Sequence, residues 1–243
     1  MGNREYGLRP LAGDDPNFQD YTVRVQRDNA ALLAAVRDLI QEGDRIYRQQ
    51  QRELPNIHFD RHLYQPLLIK DPSSLITSEP EGLEPSETQF VDHLREYWRH
   101  YGATEHAGCE VFLLRNLGRG KGIGFFRDAG FYPDFILWIK EGKRQRIVFI
   151  DPHGMRHEKA PETSDRVNLY RQLAALTESW RKKSRAKEVS LDSFIVSDTP
   201  YDELTDHYAT GKWTLEDFTE HHVLFPVQVR GYNYLRILFG TCP

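Results

Sequence analysis

The sequence predicts an α/β fold, and three observations lead to it. Two uninterrupted apolar runs, Phe135 to Ile139 and Ile147 to Ile150, flank a charged segment containing Gly142, the pattern of buried strands joined by an exposed turn. Amphipathic helical patterns stand on either side of that pair, one beginning near Pro85 and one from Asp165 to Lys187. Two further strand-like runs, Glu110 to Leu117 and Leu191 to Ser197, complete the order helix, three strands, helix, strand.

The central hairpin carries the chemistry. If Gly142-Lys143 is a two-residue turn with glycine first, counting outward pairs Glu141 with Arg144, Ile139 with Arg146, and finally Asp134 with Asp151. Directly opposed residues hold their β-carbons roughly 4.5–5.5 Å apart, which suits two carboxylates sharing one divalent cation and is costly for two bare ones. His153, two residues beyond Asp151, falls on the same face by strand periodicity. Aspartate also commonly ends strands, so a purely structural reading of both positions stands beside the chemical one.

A chain of 243 residues is long enough to bury a sizeable core. Its formal net charge of -4 gives no global nucleic-acid signature, so charge is read locally. Cys109 and Cys242 have no paired spacing, which argues against a disulfide framework or zinc ribbon and fits a reducing, cytoplasmic location. No apolar run approaches the roughly 20 residues of a membrane helix, and no signal-like core opens the chain, so no membrane association is expected.

Residues 1–57 read as an N-terminal extension to a domain over 58–243. Within it, 1–27 read as an irregular or partly extended arm, and a helix capped by Asp28 or Asn29 carries Leu32, Leu33, Val36, Leu39 and Ile40 toward Pro55. Leu63 to Ile69, with Pro66 inside it, reads as an edge strand. His58 and His62 sit four apart without a nearby acidic or cysteine partner and read as surface or packing residues. In the helix after Pro85, Ser86 and Gln89 have the spacing of a capping box, and Phe90, Leu94 and Trp98 form its apolar stripe. Glu87 in the first turn complements the helix dipole.

The glycine-rich stretch Gly118 to Gly124 holds Arg119 and Lys121, but Gly122 stands where a nucleotide-binding P-loop has Ser or Thr. It reads either as a basic loop that approaches a nucleic-acid backbone or as a plain connection. From Val111 to Lys159, ten basic residues, Arg115 and Arg119 among them, face five acidic ones, which predicts positive charge around the carboxylate pair. The basic end of the later helix, Arg181 to Lys187 with Lys182 and Lys183, suits a helix C-terminus and also a phosphate backbone. The tail has short helices at Tyr201 to Tyr208, after Thr214 with Asp217 three residues on, and at Tyr234 to Phe239. All of it, with the His221-His222 pair, reads as packing.

Pro133-Asp134 and Asp151-Pro152-His153, in this order of elements, resemble the PD-(D/E)XK nuclease superfamily. More narrowly, Ser86 to Val91, Leu114 to Gly122, Phe131 to Trp138 and Phe149 to Gly154 resemble the C-terminal region of bacterial DEAD/DEAH-helicase proteins related to type III restriction subunits, over roughly residues 58–200. The resemblance implies a restriction endonuclease-like αβββαβ core with a mixed sheet, an N-terminal helical extension and C-terminal helices. It implies a Mg²⁺- or Mn²⁺-dependent endonuclease acting on DNA in restriction or phage defence. Asp134 and Asp151 would ligate the ion, with Glu87 a third or water-mediated ligand, and Arg115, Arg119, Lys121, Lys182 and Lys183 would meet the nucleic acid. His153 stands where the family has Lys, and imidazole supplies less charge at neutral pH. A degenerate module that binds nucleic acid or a partner protein without cutting is therefore the alternative. Helicase motor motifs do not occur in this sequence, so either the nuclease module stands alone or a helicase/ATPase motor lies in a partner or a longer parent chain, and double-strand cutting would favour a homodimer.

Overall fold

The structure is a computed structural model. It describes residues 4–8, 21–25, 30–31, 33–34, 56–57, 67–72, 75–116, 132–156, 158, 161–183, 187–207, 213–226 and 233–240. The chain divides into two units, Met1–Asp92 and His93–Pro243.

In the first unit, β1 (Arg4–Leu8) and β2 (Tyr21–Val25) pair antiparallel, with Arg4 opposite Val25 and Leu8 opposite Tyr21. Short strands follow, β3 (Asn56–Ile57) with β4 (Leu67–Leu68), and β5 (Ile76–Glu79) adds to β2 with Ile76 opposite Val25. Of the irregular or partly extended arm expected over 1–27, the described residues are extended and paired as strands. Val23 and Val25 alternate with polar neighbours and are fully buried, while the strand that completes the sheet lies some fifty residues away. Of the edge strand expected at Leu63 to Ile69, β4 is the described strand, and residues 63–66 lie outside the described residues. Ala30, Ala31, Leu33 and Ala34 are helical as expected, and the rest of that helix, with His58 and His62, lies outside the described residues.

Helix α1 (Pro85–Tyr101) carries the chain into the second unit. Its start corrects the expected Ser86–Gln89 box. Thr88 N–H donates to the Glu84 carbonyl at 2.8 Å, and the Glu84 N–H donates to Glu87 Oε2 at 2.7 Å. Pro85, lacking an N–H and fixed in φ, takes the first helical position, so Ser86 falls inside the helix and Glu84 caps it.

The second unit continues through β6 (Cys109–Arg115), β7 (Phe135–Glu141), β8 (Arg144–Pro152), α2 (Leu169–Lys183), β9 (Val189–Val196), α3 (Tyr201–His207), α4 (Leu215–Glu220), β10 (Val223–Leu224) and α5 (Asn233–Phe239). These strands form one mixed sheet in the order β10-β9-β8-β7-β6. β6, β7 and β8 run antiparallel; β9 and β10 are parallel to β8, which requires the crossover that α2 supplies. The pairing β10 makes with β9 places Val223 opposite Ile195, a fifth strand where only packing was expected.

Burial explains the uninterrupted apolar runs. Ile136 and Phe149 pack with Leu169 and Leu173 of α2, while Leu137, Ile139, Val148 and Ile150, on the opposite parity, are fully buried as well. Gly142 at φ +57 opens the two-residue turn, a conformation glycine adopts without a side-chain penalty. The capping box at Thr214 and Asp217 forms as the spacing predicts. No helix among the described residues is long and apolar enough to cross a membrane.

One buried polar pair makes the stability of this unit pH-dependent. Tyr97 Oη lies 2.7 Å from His106 Nε2, beside the Phe239 ring. Burial, aided by the charge of Glu105, pushes the Tyr97 phenol up to about 12, and burial holds the His106 imidazole below its ordinary 6.5. The unfolded chain therefore binds a proton more readily, so this contribution is complete above pH 6.5 and is lost as pH falls toward the depressed value. The urea midpoint should drop between neutral pH and about pH 5, and His106→Gln should lose that part of the slope.

Candidate functional site

The observed β7–β8 register runs from Glu141↔Arg144 to Phe135↔Ile150, as the turn counting predicts. The ladder ends there; continued by one step, the same count would put Asp134 opposite Asp151, and strand parity would give both the face of Ile136 and Phe149. Asp134 sits at a bend just outside the ladder, and Asn116 holds it from the end of β6. The Asn116 N–H donates to the Asp134 carbonyl and its Nδ2 to the Pro133 carbonyl, both at 2.7 Å. Asn116 is buried, and sequence reasoning gave it no role because only the β6–β7 pairing brings it there.

Asp151 is 4% exposed, and its charge is met by Arg166 from the turn before α2. Arg166 Nε donates to Asp151 Oδ2 at 2.6 Å, and Nη2 pairs with the same oxygen. Behind them a cavity of about 10 Å³, also lined by Ser193 and His222, has room for about one water. A substrate must therefore approach from the strand ends. There His153 is exposed, its N–H donating to the Val196 carbonyl at 3.1 Å. A β-carbon added at Gly154 would lie 2.7 Å from Asp198 Oδ1, so a further carboxylate, noticed in the sequence only as a strand terminator, stands where parallel β8 and β9 both end. Carboxyl ends of parallel strands are where α/β sheets present ligand sites.

Glu87 belongs to the first unit, is 7% exposed, and caps α1 through the bond to Glu84. Among the described residues no three His, Cys, Asp or Glu side chains converge as a metal cluster. Asp134 and Asp151 lie next beyond the last ladder pair of the hairpin, Phe135↔Ile150, and carboxylates are the hard oxygen donors that magnesium takes with water completing its shell.

The expected basic surround is corrected in part. Lys140, Lys143, Arg144 and Arg146 cluster at the turn of the hairpin, and a hairpin's turn is the end opposite its open carboxylates. Arg144 precedes Asp151 by seven strand residues, roughly 23 Å at 3.3 Å per residue. Arg115 ends β6 opposite Phe135, at the carboxylate end. Lys182 is exposed in the last turn of α2. Arg119, Lys121, Lys159 and the side chain of Lys183 lie outside the described residues.

His221 and His222, read as packing, have distinct partners. His222, at φ +59, stacks between Tyr170 and Phe194 at 4.1 and 4.4 Å, and its Nδ1 lies 2.9 Å from Asp192 Oδ1. Burial drives the Asp192 carboxyl upward, but His222 and Arg146 outweigh it and hold it below 3.8. This is a load on the β9 edge that sequence spacing gave no sign of.

Cys109 is disulfide-bonded, which overturns the expectation of free thiols and the argument for a reducing compartment built on it. The chain's other cysteine, Cys242, lies outside the described residues. Mass spectrometry of the alkylated, unreduced protein should recover Cys109 and Cys242 in one linked peptide pair. Reduction should then cost on the order of 4 kcal/mol, as for closed loops above a hundred residues; recovery of two alkylated thiols would refute the bond.

Searches against protein-family models, curated proteins and solved structures return no match for this chain.

Proposed function

We propose that this chain is a magnesium-dependent endonuclease that hydrolyses phosphodiester bonds of DNA, in a restriction or phage-defence setting. The observation that supports the reading is the hairpin register, which runs to Phe135↔Ile150 and, continued by one step, would pair Asp134 with Asp151 at the open end. The sequence of α1, antiparallel β6, β7 and β8, then α2 and parallel β9 supports it, being the αβββαβ order of the PD-(D/E)XK nucleases that the motifs resemble.

Asp134 and Asp151 would hold Mg²⁺ or Mn²⁺. When bound, such an ion polarises a phosphoryl oxygen and lowers the pKa of a coordinated water. Arg166 fixes the orientation of the Asp151 carboxylate through its two bonds to Oδ2. His153, exposed beyond the strand end, would orient the attacking water and accept its proton at an imidazole nitrogen. Asn116 keeps the Pro133-Asp134 backbone in position. A helicase or ATPase partner and a homodimer belong to the same reading.

Supercoiled plasmid incubated with the protein and Mg²⁺ or Mn²⁺ should be nicked, and chelation by EDTA should stop it; intact plasmid under both metals would retire the reading. The engagement of Asp151 by Arg166 favours a second reading, a module that binds nucleic acid without cutting it. That module would bind DNA in a salt-sensitive way with no turnover under any metal. His153→Lys separates the two, because a gain in cleavage belongs only to an active site.

A further inference from the structure

We propose that a groove at the turn end of the hairpin, remote from the paired aspartates, docks the phosphate backbone of duplex DNA without regard to sequence. The groove is an open cavity of about 540 Å³ between the start of β8, the start of β9 and the last turn of α2. Arg144, Arg146, Arg181, Lys187, Ser190 and Gly240 line it, and Glu188 is the single acid among them.

The floor is fixed before any ligand arrives. Arg146 donates Nη1 to the carbonyls of Leu238 and Phe239, each at 2.9 Å, and Nη2 to Asp192 at 2.5 Å. Gly240, at φ +58, closes the same corner, where an added β-carbon would lie 3.6 Å from Arg146 Nη1. The charge of Arg146 is thus already matched by a carboxylate and a helix C-terminus, and its part is to shape the floor. Arg144, Arg181 and Lys187 are exposed on the rim and supply the charge for a ligand. Arg181 is paired with Glu178 at 2.8 Å, an exposed pair of the kind that exchanges readily for a phosphate.

The lining also selects the ligand. Among the described residues that line it there is no aromatic side chain, and single strands are gripped by stacking bases on aromatic platforms. Among the same residues there is no apolar side chain, which a membrane surface would require for insertion. What remains is cationic and concave, suited to a phosphate backbone. At roughly 23 Å from Asp151 along β8, a duplex of about seven base pairs would reach from the groove to the strand ends. The groove does not require the chain to cut what it binds.

The test is fluorescence anisotropy in EDTA with two unrelated labelled duplexes of about 20 base pairs, titrated across a salt series. Each phosphate contact contributes about 0.9 to the slope of log K against log salt, so the variant Arg144→Gln/Arg181→Gln/Lys187→Gln should flatten that slope by about two to three. Affinity at low salt should fall at least tenfold for both duplexes alike, with the thermal unfolding midpoint unchanged. Equal slopes for wild type and variant would overturn the proposal. So would variant-sensitive binding to phosphatidylserine vesicles or to inorganic tripolyphosphate in the absence of duplex binding. Because EDTA suppresses turnover, a persistent slope difference in a protein that never nicks plasmid would leave the groove standing while the nuclease reading falls.

Discussion

Replacing Asp134 by alanine should lower metal-dependent plasmid nicking by about a thousandfold or more, since losing one of two metal-holding carboxylates forfeits several kcal/mol of transition-state stabilisation. Asn116 binds the Asp134 and Pro133 carbonyls, and truncation of the Asp134 side chain leaves both of these backbone bonds in place. Asp134 lies outside the β7–β8 ladder. Urea unfolding of the variant checks that it remains folded. Nicking at the wild-type rate in a folded Asp134→Ala protein would place the chemistry elsewhere or in a contaminant.

The hairpin was legible because everything that specifies it is local. Gly142 supplies the turn, the two apolar runs supply strands buried on both faces, and a period of two carries the register from Glu141↔Arg144 outward. Features that depend on pairing across long sequence separations were not legible. Tyr21–Val25 needs Ile76–Glu79 to become a central strand, and Val223–Leu224 becomes an edge strand beside β9. Charge misled for a related reason. A sequence window from Val111 to Lys159 sums residues at both ends of a hairpin, yet the fold separates Lys140, Lys143, Arg144 and Arg146 from the aspartates by the length of β8. Glu84 was hidden behind Pro85, whose preference for the first helical position moves the cap one residue before it.

Arg166 is the residue on which the candidate site most departs from its sequence reading, and it makes Asp151 a poor position for a simple catalytic knockout. Asp151→Ala should destabilise the protein by about 3–5 kcal/mol, because it leaves the Arg166 guanidinium in a poorly solvated place without its carboxylate. The side chains concerned are 6% and 19% exposed, too buried for water to replace the lost partner. Arg166→Met should cost a similar amount by stranding the Asp151 charge, whereas the double variant Asp151→Ala/Arg166→Met should be distinctly more stable than the sum of the two losses predicts. Urea unfolding of the four proteins measures that coupling, and additive losses would show that the pair is not what holds the end of β8. Arg166→Met also divides the two functional readings. If Arg166 orients Asp151 for catalysis, nicking should fall in this variant even where it remains folded. If Arg166 instead blocks the carboxylate in a binding module, removing it should leave duplex binding in place and allow metal-dependent nicking to appear where the parent protein had none.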